Sequence, residues 1–460
     1  MNRKLSDSLS YVDDRYIARA AKKPKKVSRI LFPALAAVLA LVLLLKIPSL
    51  PLAISAQAVA AAPDTRREQR PKHGDPGWDA WYDAEMRRQE QTEAAAPAVT
   101  AFAQACSRSF LTEAPGENRV WAPFSAYLSL AMTAELTGTH TQALLLDTLG
   151  ARDLEALRRD MGAAWEQLSW KDGKEICLLS TSLWMDEELD YQQETMDHLA
   201  DSYYASVYRS DLGSEKTARD VGRWLHNATR GALGTPDIQL SENTRLLLLS
   251  TVYFQSKWAE PFSRAQNKTG VFHSANGDLD CTFMNARELH QHYYWGEDFG
   301  AIALRLKNGS LMWLILPDED KTVADVLERG EYAALFSEAT QQRAYKKVNL
   351  SLPKFDIDSE ASLRPALESM GLGALFQPLG NDFTPSIISS EPTFLENIRQ
   401  QSRVTVDEEG VTAASYLELD FGAGAAEPPE EIIDFILDRP FLFAITKNTV
   451  PLFMGTVEKP

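Results

Sequence analysis

The pattern that most constrains this chain is a strand that continues into a loop, in residues 403–426 (RVTVDEEGVTAASYLELDFGAGAA). Val404 and Val406 alternate with polar residues, which is the period-two pattern of a strand with one buried face. Gly410 interrupts this alternation, which then resumes and places on one face Val411, Ala413, Ser415, Leu417, Leu419 and Phe421. A Gly-Ala tract and two prolines follow and indicate an exposed loop. The combination predicts a segment that changes conformation.

Part of this segment resembles in sequence the hinge of an inhibitory serpin. The matching residues are Glu408, Glu409, Gly410, Val411, Thr412, Ala413 and Ala414. Residues 438–445 (DRPFLFAI) and 452–460 (LFMGTVEKP) resemble the last two strands of that family, and residues 350–357 (LSLPKFDI) match a further motif. The resemblance covers residues 97–460. It implies an α+β fold with three β-sheets, about eight or nine helices and an exposed reactive-centre loop.

The resemblance also implies the activity, which is inhibition of serine proteases by a suicide substrate rather than catalysis. In this family a protease attacks the loop and forms an acyl-enzyme, and the cut loop enters the large sheet as a new strand. We expect the slot that receives it between the strands near residues 176–185 and 246–254. The competing interpretation is a non-inhibitory serpin-fold protein that acts as a binding protein or chaperone at the cell surface. Such members carry bulky or charged residues or Pro in the hinge, which this hinge lacks.

The resemblance also indicates where the loop is cut. In the family the reactive residue lies about sixteen positions beyond the hinge glutamate, a spacing set by the strand that inserts. Counting from Glu408 predicts the bond Gly424-Ala425, with Ala423-Gly424 and Ala425-Ala426 as alternatives. All candidates are small, so an elastase-like serine protease is the expected partner and a subtilisin-like protease the alternative.

Five further positions match a region that controls opening of the slot in this family. Ser125 and Trp258 agree with the family pattern. The other three, Ala122, Ser250 and Gln400, stand where the family has Ser, Asn and His in a buried hydrogen-bonded cluster. We expect a changed barrier to opening and an unchanged fold.

The N-terminal part predicts export. Residues 1–29 hold nine Lys and Arg against three Asp, a net +6, and the overall net charge of -17 leaves -23 on the rest. Residues 30–45 are apolar and uncharged, which indicates a membrane segment. The Lys and Arg residues that precede it predict that the N-terminus stays in the cytoplasm. The predicted organisation is a cytoplasmic tail (1–29), a transmembrane signal anchor (30–54), a polar linker (55–96) and an extracytoplasmic serpin domain (97–460). The alternative is a secreted protein, cut near Ala56-Gln57-Ala58 or Ala58-Val59-Ala60.

Several functional classes are disfavoured by the sequence. The acidic body lacks the basic face of a nucleic-acid-binding protein, and the helix at residues 154–168 carries no basic patch for a polyanion. The pair His290 and His292 has no third ligand at strand or helix spacing, so we expect neither a metal nor a cofactor. Three widely spaced cysteines predict buried free thiols. An aromatic group, Trp78, Trp81 and Tyr82, begins a short helix packed on the body or forms an interfacial anchor.

Overall fold

A computed structural model describes residues 51–63, 74–172, 175–232, 238, 240, 244–337, 342–377, 382–388, 395, 398–411 and 431–460. By contacts the chain forms two compact units, residues 1–50 and 51–460, and all described residues belong to the second. The predicted cytoplasmic tail and most of the predicted anchor therefore lie outside the described residues.

Nine α-helices lie in the described part of the chain. They are α1 (Trp78–Leu111), α2 (Pro123–Leu136), α3 (Thr139–Thr148), α4 (Leu154–Leu168), α5 (Gln193–Tyr203), α6 (Glu215–Ala228), α7 (Val323–Arg329), α8 (Ala333–Phe336) and α9 (Arg364–Ser369). Local capping explains several boundaries. Asp153 and Ser214 accept N-terminal N–H bonds of α4 and α6, and Thr322 and Asp325 form a capping box on α7.

The strands of the described residues form three sheets. The strands are β1 (Gln57–Ala60), β2 (Arg119–Trp121), β3 (Trp170–Asp172), β4 (Glu175–Asp186), β5 (Asp190–Tyr191), β6 (Ala205–Ser210), β7 (Leu246–Lys257), β8 (Lys268–Ser274), β9 (Gly277–Trp295), β10 (Phe299–Arg305), β11 (Leu311–Pro317), β12 (Arg343–Pro353), β13 (Phe355–Ser362), β14 (Ile387–Ile388), β15 (Arg399–Val406), β16 (Gly410–Val411), β17 (Ile432–Ile436), β18 (Phe441–Lys447) and β19 (Val450–Val457). The large sheet has the order β1-β6-β4-β7-β16-β15-β13, with β3 beside β4. The second has the order β17-β12-β9-β10-β11-β18-β19-β2, with β8 beside β9, and the third pairs β14 with β5. The predicted α+β class with three sheets is confirmed.

The core lies around α2, which has every residue buried. The helix is built from small and apolar residues, so it packs closely against β7 of the large sheet and β19 of the second sheet. Continuous apolar strands β11, β18 and β19 complete this core, because each is covered on both faces. One face of the large sheet therefore packs on α2, and α6 packs on the other face against Trp184 and Leu249.

The interpretation of residues 55–96 as a linker is wrong in two places. Residues 57–60 form β1 at the edge of the large sheet, and α1 begins at Trp78, inside the predicted linker. Helix α1 runs through Pro97 because strong helix formers (Ala, Glu, Gln, Arg) surround the proline, and its buried face lies on α4. In the aromatic group at its start, Trp78 stacks on Tyr82 with ring centroids 6.3 Å apart and is tilted against Trp81 at 5.5 Å.

The anchor predicted at residues 30–54 also extends too far toward the C-terminus. Residues 51–54 lie against α6, and Ile54 packs on the apolar cluster beneath that helix. Across the described ranges, none of the helices combines the length and apolarity needed to cross a membrane.

Candidate functional site

The slot of the large sheet lies between β7 and β15, and the position predicted for it is wrong. Strands β4 and β7 form an unbroken antiparallel ladder from Ile176–Gln255 to Met185–Leu246, so no strand can enter between them. Within the described residues, β7 and β15 are joined only through the two-residue strand β16. A cavity of about 240 Å³ lies between them, with walls that include Tyr253 and Val404 and a floor that includes Phe453.

Two hinge residues, Gly410 and Val411, already lie between the strands at one end of this slot, and we call this pair the wedge. Gly410 pairs with Lys257 of β7, and Val411 pairs both with Ser256 of β7 and with Val406 of β15. The side chain of Val411 is 2% exposed and belongs to the main core. Val411 thus occupies the entrance of the slot in the intact chain.

Glycine is required at the wedge by a close approach of two backbones. Gly410 has φ of +155°, and a Cβ atom built there would lie 2.5 Å from Lys257 Cα. The turn before it is fixed by Asp407, whose Oδ1 accepts the N–H groups of Glu409 at 2.8 Å and of Gly410 at 3.2 Å. Only glycine allows the chain to reverse here and still pair with β7.

Glu408 anchors this turn inside the protein. Its buried carboxylate lies 2.5 Å from Lys354 Nζ and accepts a bond of 2.5 Å from Asn267 Nδ2, while its carbonyl accepts the N–H of Phe262 at 3.0 Å. Burial raises the pKa of this carboxyl, but the bonds from Lys354 and Asn267 outweigh burial and lower the pKa to about 2. The ionised form is therefore strongly favoured in the folded protein.

Trp258 joins the end of β7 to the same turn. Its Nε1 donates to the Asp407 carbonyl at 2.8 Å, and its backbone N–H donates to the Glu409 carbonyl at 3.1 Å. The indole ring is 1% exposed and packs edge-on against Phe262. The predicted hinge residues and Trp258 are thus brought together at one end of the slot.

The predicted cluster beneath the slot is rebuilt around Gln400. Its Oε1 accepts the backbone N–H of Ala122 at 2.7 Å, and its Nε2 donates to the Ala122 carbonyl at 3.0 Å. Ala122 is the N-cap of α2 and has no polar side chain of its own to satisfy these groups. The glutamine amide supplies the partner of the Ala122 N–H and a second donor to the carbonyl, which also accepts Ala126 N–H at 3.1 Å, and so ties β15 to the start of α2.

The other wall of the slot is tied to the same helix. The hydroxyls of Ser125 on α2 and Ser250 on β7 form a short hydrogen bond in the core. Both walls are therefore held by residues within the first turn of one helix. Any opening of the slot at this level must break one of these two connections or move α2.

Residues 229–232, which follow α6, lie over the slot. Thr229 and Ala232 line the cavity, and Arg403 of β15 donates to the Ala232 carbonyl at 3.4 Å. Arg403 also forms a two-bond ion pair with Asp356 of β13. An incoming strand would have to displace this segment, which we call the cover.

The remaining predicted site residues fall outside the described part of the chain. These are the hinge residues Thr412, Ala413 and Ala414 and the candidate reactive positions Ala423, Gly424, Ala425 and Ala426. Their roles stay predictions from the sequence.

Other polar groups do not form a second site. No cluster of three or more His, Cys, Asp or Glu placed to hold a metal occurs among the described residues, and His290 and His292 lie exposed on β9. All three cysteines are free, but the prediction of three buried thiols is wrong for Cys281, which is partly exposed near a hairpin end of β9.

Sequence reasoning missed four contributors to the site, which are Lys354, Asn267, Thr229 and Ala232. Lys354 lies within the LSLPKFDI motif, so its position was marked even though its partner was not. No local pattern pairs Asn267 with Glu408, because the two residues are 141 positions apart in the chain.

A model of the family described as Serpin (serine protease inhibitor) matches residues 97–460. The chain belongs to the serpin family. Among relatives of this serpin, Serpin-Z2B of Oryza sativa subsp. japonica is 26% identical over 406 residues, which cover 79% of this chain and 96% of that protein. Plasminogen activator inhibitor 1 of Neovison vison is 25% identical over 380 residues, covering 80% and 93%.

Solved serpin structures share the fold. Native tengpin, a thermophilic serpin, has a TM-score of 0.71 at 24% identity, covering 79% of this chain and 93% of that chain. Arabidopsis AtSerpin1 in its native stressed conformation has a TM-score of 0.69 at 22% identity, covering 81% and 98%. The family description and relatives named as protease inhibitors support protease inhibition as the general activity, so the chain is an inhibitor rather than an enzyme.

Proposed function

We propose that this serpin inhibits serine proteases of elastase-like or subtilisin-like specificity by inserting its cut loop between β7 and β15. The observation that carries the proposal is the wedge of Gly410 and Val411, which pairs with both walls above an open cavity. A strand continuing from Val411 would follow the facing edges of both walls. Twelve inserted residues at about 3.3 Å each would carry an attached protease roughly 40 Å.

The free energy for this step would come from backbone hydrogen bonds along the facing edges of β7 and β15, which share no ladder beyond β16 in the part of the chain that the structure describes. An added strand of this length forms on the order of ten backbone hydrogen bonds, each contributing about 1 kcal/mol net. The total, on the order of 10 kcal/mol, is comparable to the stability of a whole domain. Insertion of a protease-linked loop is therefore strongly favourable once the cut releases its end.

The target class follows from the loop sequence. Residues 404–438 contain neither Lys nor Arg, so a trypsin-like pocket has no basic side chain to bind there. Residues 422–426 are only Gly and Ala, which suit a small specificity pocket. We infer the reactive bond Gly424-Ala425, with the neighbouring bonds as alternatives.

We also propose an extracytoplasmic position for the body, held by an anchor within residues 30–50. The support is the uncharged apolar run at 30–45 preceded by a cluster of Lys and Arg. Carbonate extraction of membranes that carry the full chain tests this proposal: an anchored chain stays in the pellet, and a cleaved one is released. N-terminal sequencing of the released material identifies the cut.

The inhibitory proposal is tested with the full chain and three proteases: elastase, subtilisin and trypsin. We expect an SDS-stable complex with elastase or subtilisin, no complex with trypsin at this loop, and a released peptide that starts within residues 424–427. The same protease with its serine nucleophile replaced by Ala is the matched control, since it binds the loop but forms no acyl-enzyme.

The outcomes separate the alternatives. Cleavage of the loop without a complex would favour the non-inhibitory interpretation, and a complex with trypsin alone would overturn the target class. A released peptide that starts elsewhere would overturn the assigned bond while leaving the mechanism intact.

A further inference from the structure

An N-terminal segment, residues 52–60, straps helix α6 to the edge of the large sheet. Leu52 and Asn227 exchange two hydrogen bonds, from Leu52 N to Asn227 Oδ1 at 2.7 Å and from Asn227 Nδ2 to the Leu52 carbonyl at 2.8 Å. One turn earlier on α6, Arg223 donates to the Ala53 carbonyl at 3.4 Å. We call residues 52–60 the strap.

The strongest contact of the strap is with a buried carboxylate. Asp220 of α6 has a side chain that is 1% exposed, and its Oδ2 accepts both Ser55 N–H at 2.9 Å and Ser55 Oγ–H at 2.6 Å. Its Oδ1 accepts from Arg223 at 3.0 Å. Burial raises the pKa of Asp220, but the bonds from Ser55 and Arg223 outweigh it and lower the pKa. A charged group in this position needs the strap donors, because losing them leaves it buried and half-satisfied.

The far end of the strap joins the sheet itself. Strand β1 pairs antiparallel with β6, with Gln57 opposite Arg209 and Ala60 opposite Val207. Ile54 and Ala56 pack into the apolar cluster between α6 and the sheet, beside Trp184 and Trp224. The strap thus spans from the helix to the sheet edge and closes this layer on one side.

Helix α6 continues directly into the cover. The helix ends at Ala228, and Thr229 and Ala232 line the slot between β7 and β15. A strand that enters the slot must displace this segment, and displacing it moves the end of α6 that Asn227 ties to the strap. The contacts of the strap and the opening of the slot therefore oppose one another.

We propose that residues 52–60 act as a restraint on the slot, so that release of the strap frees α6 and speeds displacement of the cover. The proposal concerns the opening of this slot and, as a control of inhibition, rests on the proposed function. Both predicted processing sites, Ala56-Gln57-Ala58 and Ala58-Val59-Ala60, lie inside the strap. Cleavage there would remove the contacts with α6, so an anchored chain and a released chain would differ in their readiness to insert the loop.

The test is hydrogen exchange on the full chain without any protease, which keeps it separate from the test of inhibition. Ser55→Pro removes both donors to Asp220, and Ser55→Ala removes only the hydroxyl and serves as a milder variant. Gln57→Ala, an exposed side chain of the same strap, is the matched control. We expect exchange in residues 215–232 to rise about tenfold in Ser55→Pro, the size set by loss of charge-assisted hydrogen bonds. Exchange in α2 should not change.

Three results would overturn the proposal. The first is an unchanged rate of hydrogen exchange in the cover, residues 229–232, in a Ser55→Pro chain whose strap exchanges freely. The second is an equal effect of Gln57→Ala, and the third is a strap that already exchanges freely in the unaltered chain. A folded Ser55→Ala chain with intermediate exchange in 215–232 would support the proposal even where Ser55→Pro fails to fold. These exchange experiments use no protease, so they test the restraint even if the chain inhibits none.

Discussion

Gln400 satisfies both backbone polar groups of Ala122, accepting its N–H at 2.7 Å and donating to its carbonyl at 3.0 Å. This pair joins β15 to the first turn of α2, where the Ser125 and Ser250 hydroxyls join β7. A single helix start therefore holds both walls of the slot, through groups that are all buried. The stability of the intact protein and the barrier to insertion should both depend on this point.

Replacing the glutamine amide should weaken the intact protein. Gln400→Leu keeps the approximate volume but leaves the N–H of Ala122 buried without a partner, a loss of about 2 kcal/mol, while the Ala122 carbonyl keeps the bond from Ala126 N–H at 3.1 Å. Urea unfolding at constant pH measures the change in free energy of unfolding. Gln193→Leu, an exposed glutamine on α5, is the control and should stay within about 0.5 kcal/mol. Equal effects of the two variants would contradict the role of Gln400.

Acid should weaken the hinge anchor through Glu408. Its pKa is lowered from 4.5 to about 2 in the folded chain, so its stabilisation is present above pH 4.5 and is lost as the pH falls through 2. The shift corresponds to about 3 kcal/mol at most. Stability measured from pH 5 to pH 2 should fall less steeply in Glu408→Gln. Lys354→Met removes the partner charge and should also flatten this profile, and an unaltered profile in both variants would refute the assignment.

A charge at the wedge should convert the inhibitor into a substrate. Val411→Arg places a guanidinium in a core position between Ser256 and Val406. The carboxylate one strand further along, Glu175, already accepts bonds from Ser256 Oγ and Lys257 N–H. We expect the loop to be cut at a normal rate with no SDS-stable complex. Val271→Arg on β8 is the control, since that valine is exposed and far from the ladder of the slot. Retention of the complex by Val411→Arg would argue against insertion at this slot.

Cutting the loop should make the protein more resistant to heat. Insertion adds a central strand to the large sheet and on the order of ten hydrogen bonds, while the intact protein holds the slot open. Thermal unfolding before and after cleavage by elastase measures the difference, and mass spectrometry confirms that the loop is cut. Equal midpoints for the two forms would indicate a chain that does not insert.

Pattern and resemblance located the elements of the fold better than their arrangement. The helix predicted at residues 154–168 has the observed bounds, and the alternation at Val404 and Val406 correctly predicted a strand with one buried face. The order of strands in the sheet leaves no trace in periodicity, which is why the slot was assigned to the wrong side of β7. Long-range pairs such as Gln400 with Ala122 also have no local signal.

The N-terminal departures have a similar physical origin. Residues 57–60 (QAVA) are too short to show a strand pattern, and it is pairing with the edge of β6 that makes them a strand. Residues 78–96 contain strong helix formers, but their polar and charged composition favoured a linker. In both places the local sequence is compatible with a linker and with a regular element, and tertiary contacts select the regular element.

The wedge at Val411 also fixes the register of the strand that follows it. Since Val411 faces the main core, the inserted residues of the same parity, such as Leu417 and Phe421, must face the core as well. A slip by one residue would instead bury Glu418 and Asp420. The first pair of this ladder, Val411 with Ser256 and Val406, is formed before any bond is cut, so the proposed insertion would extend a ladder that is already aligned.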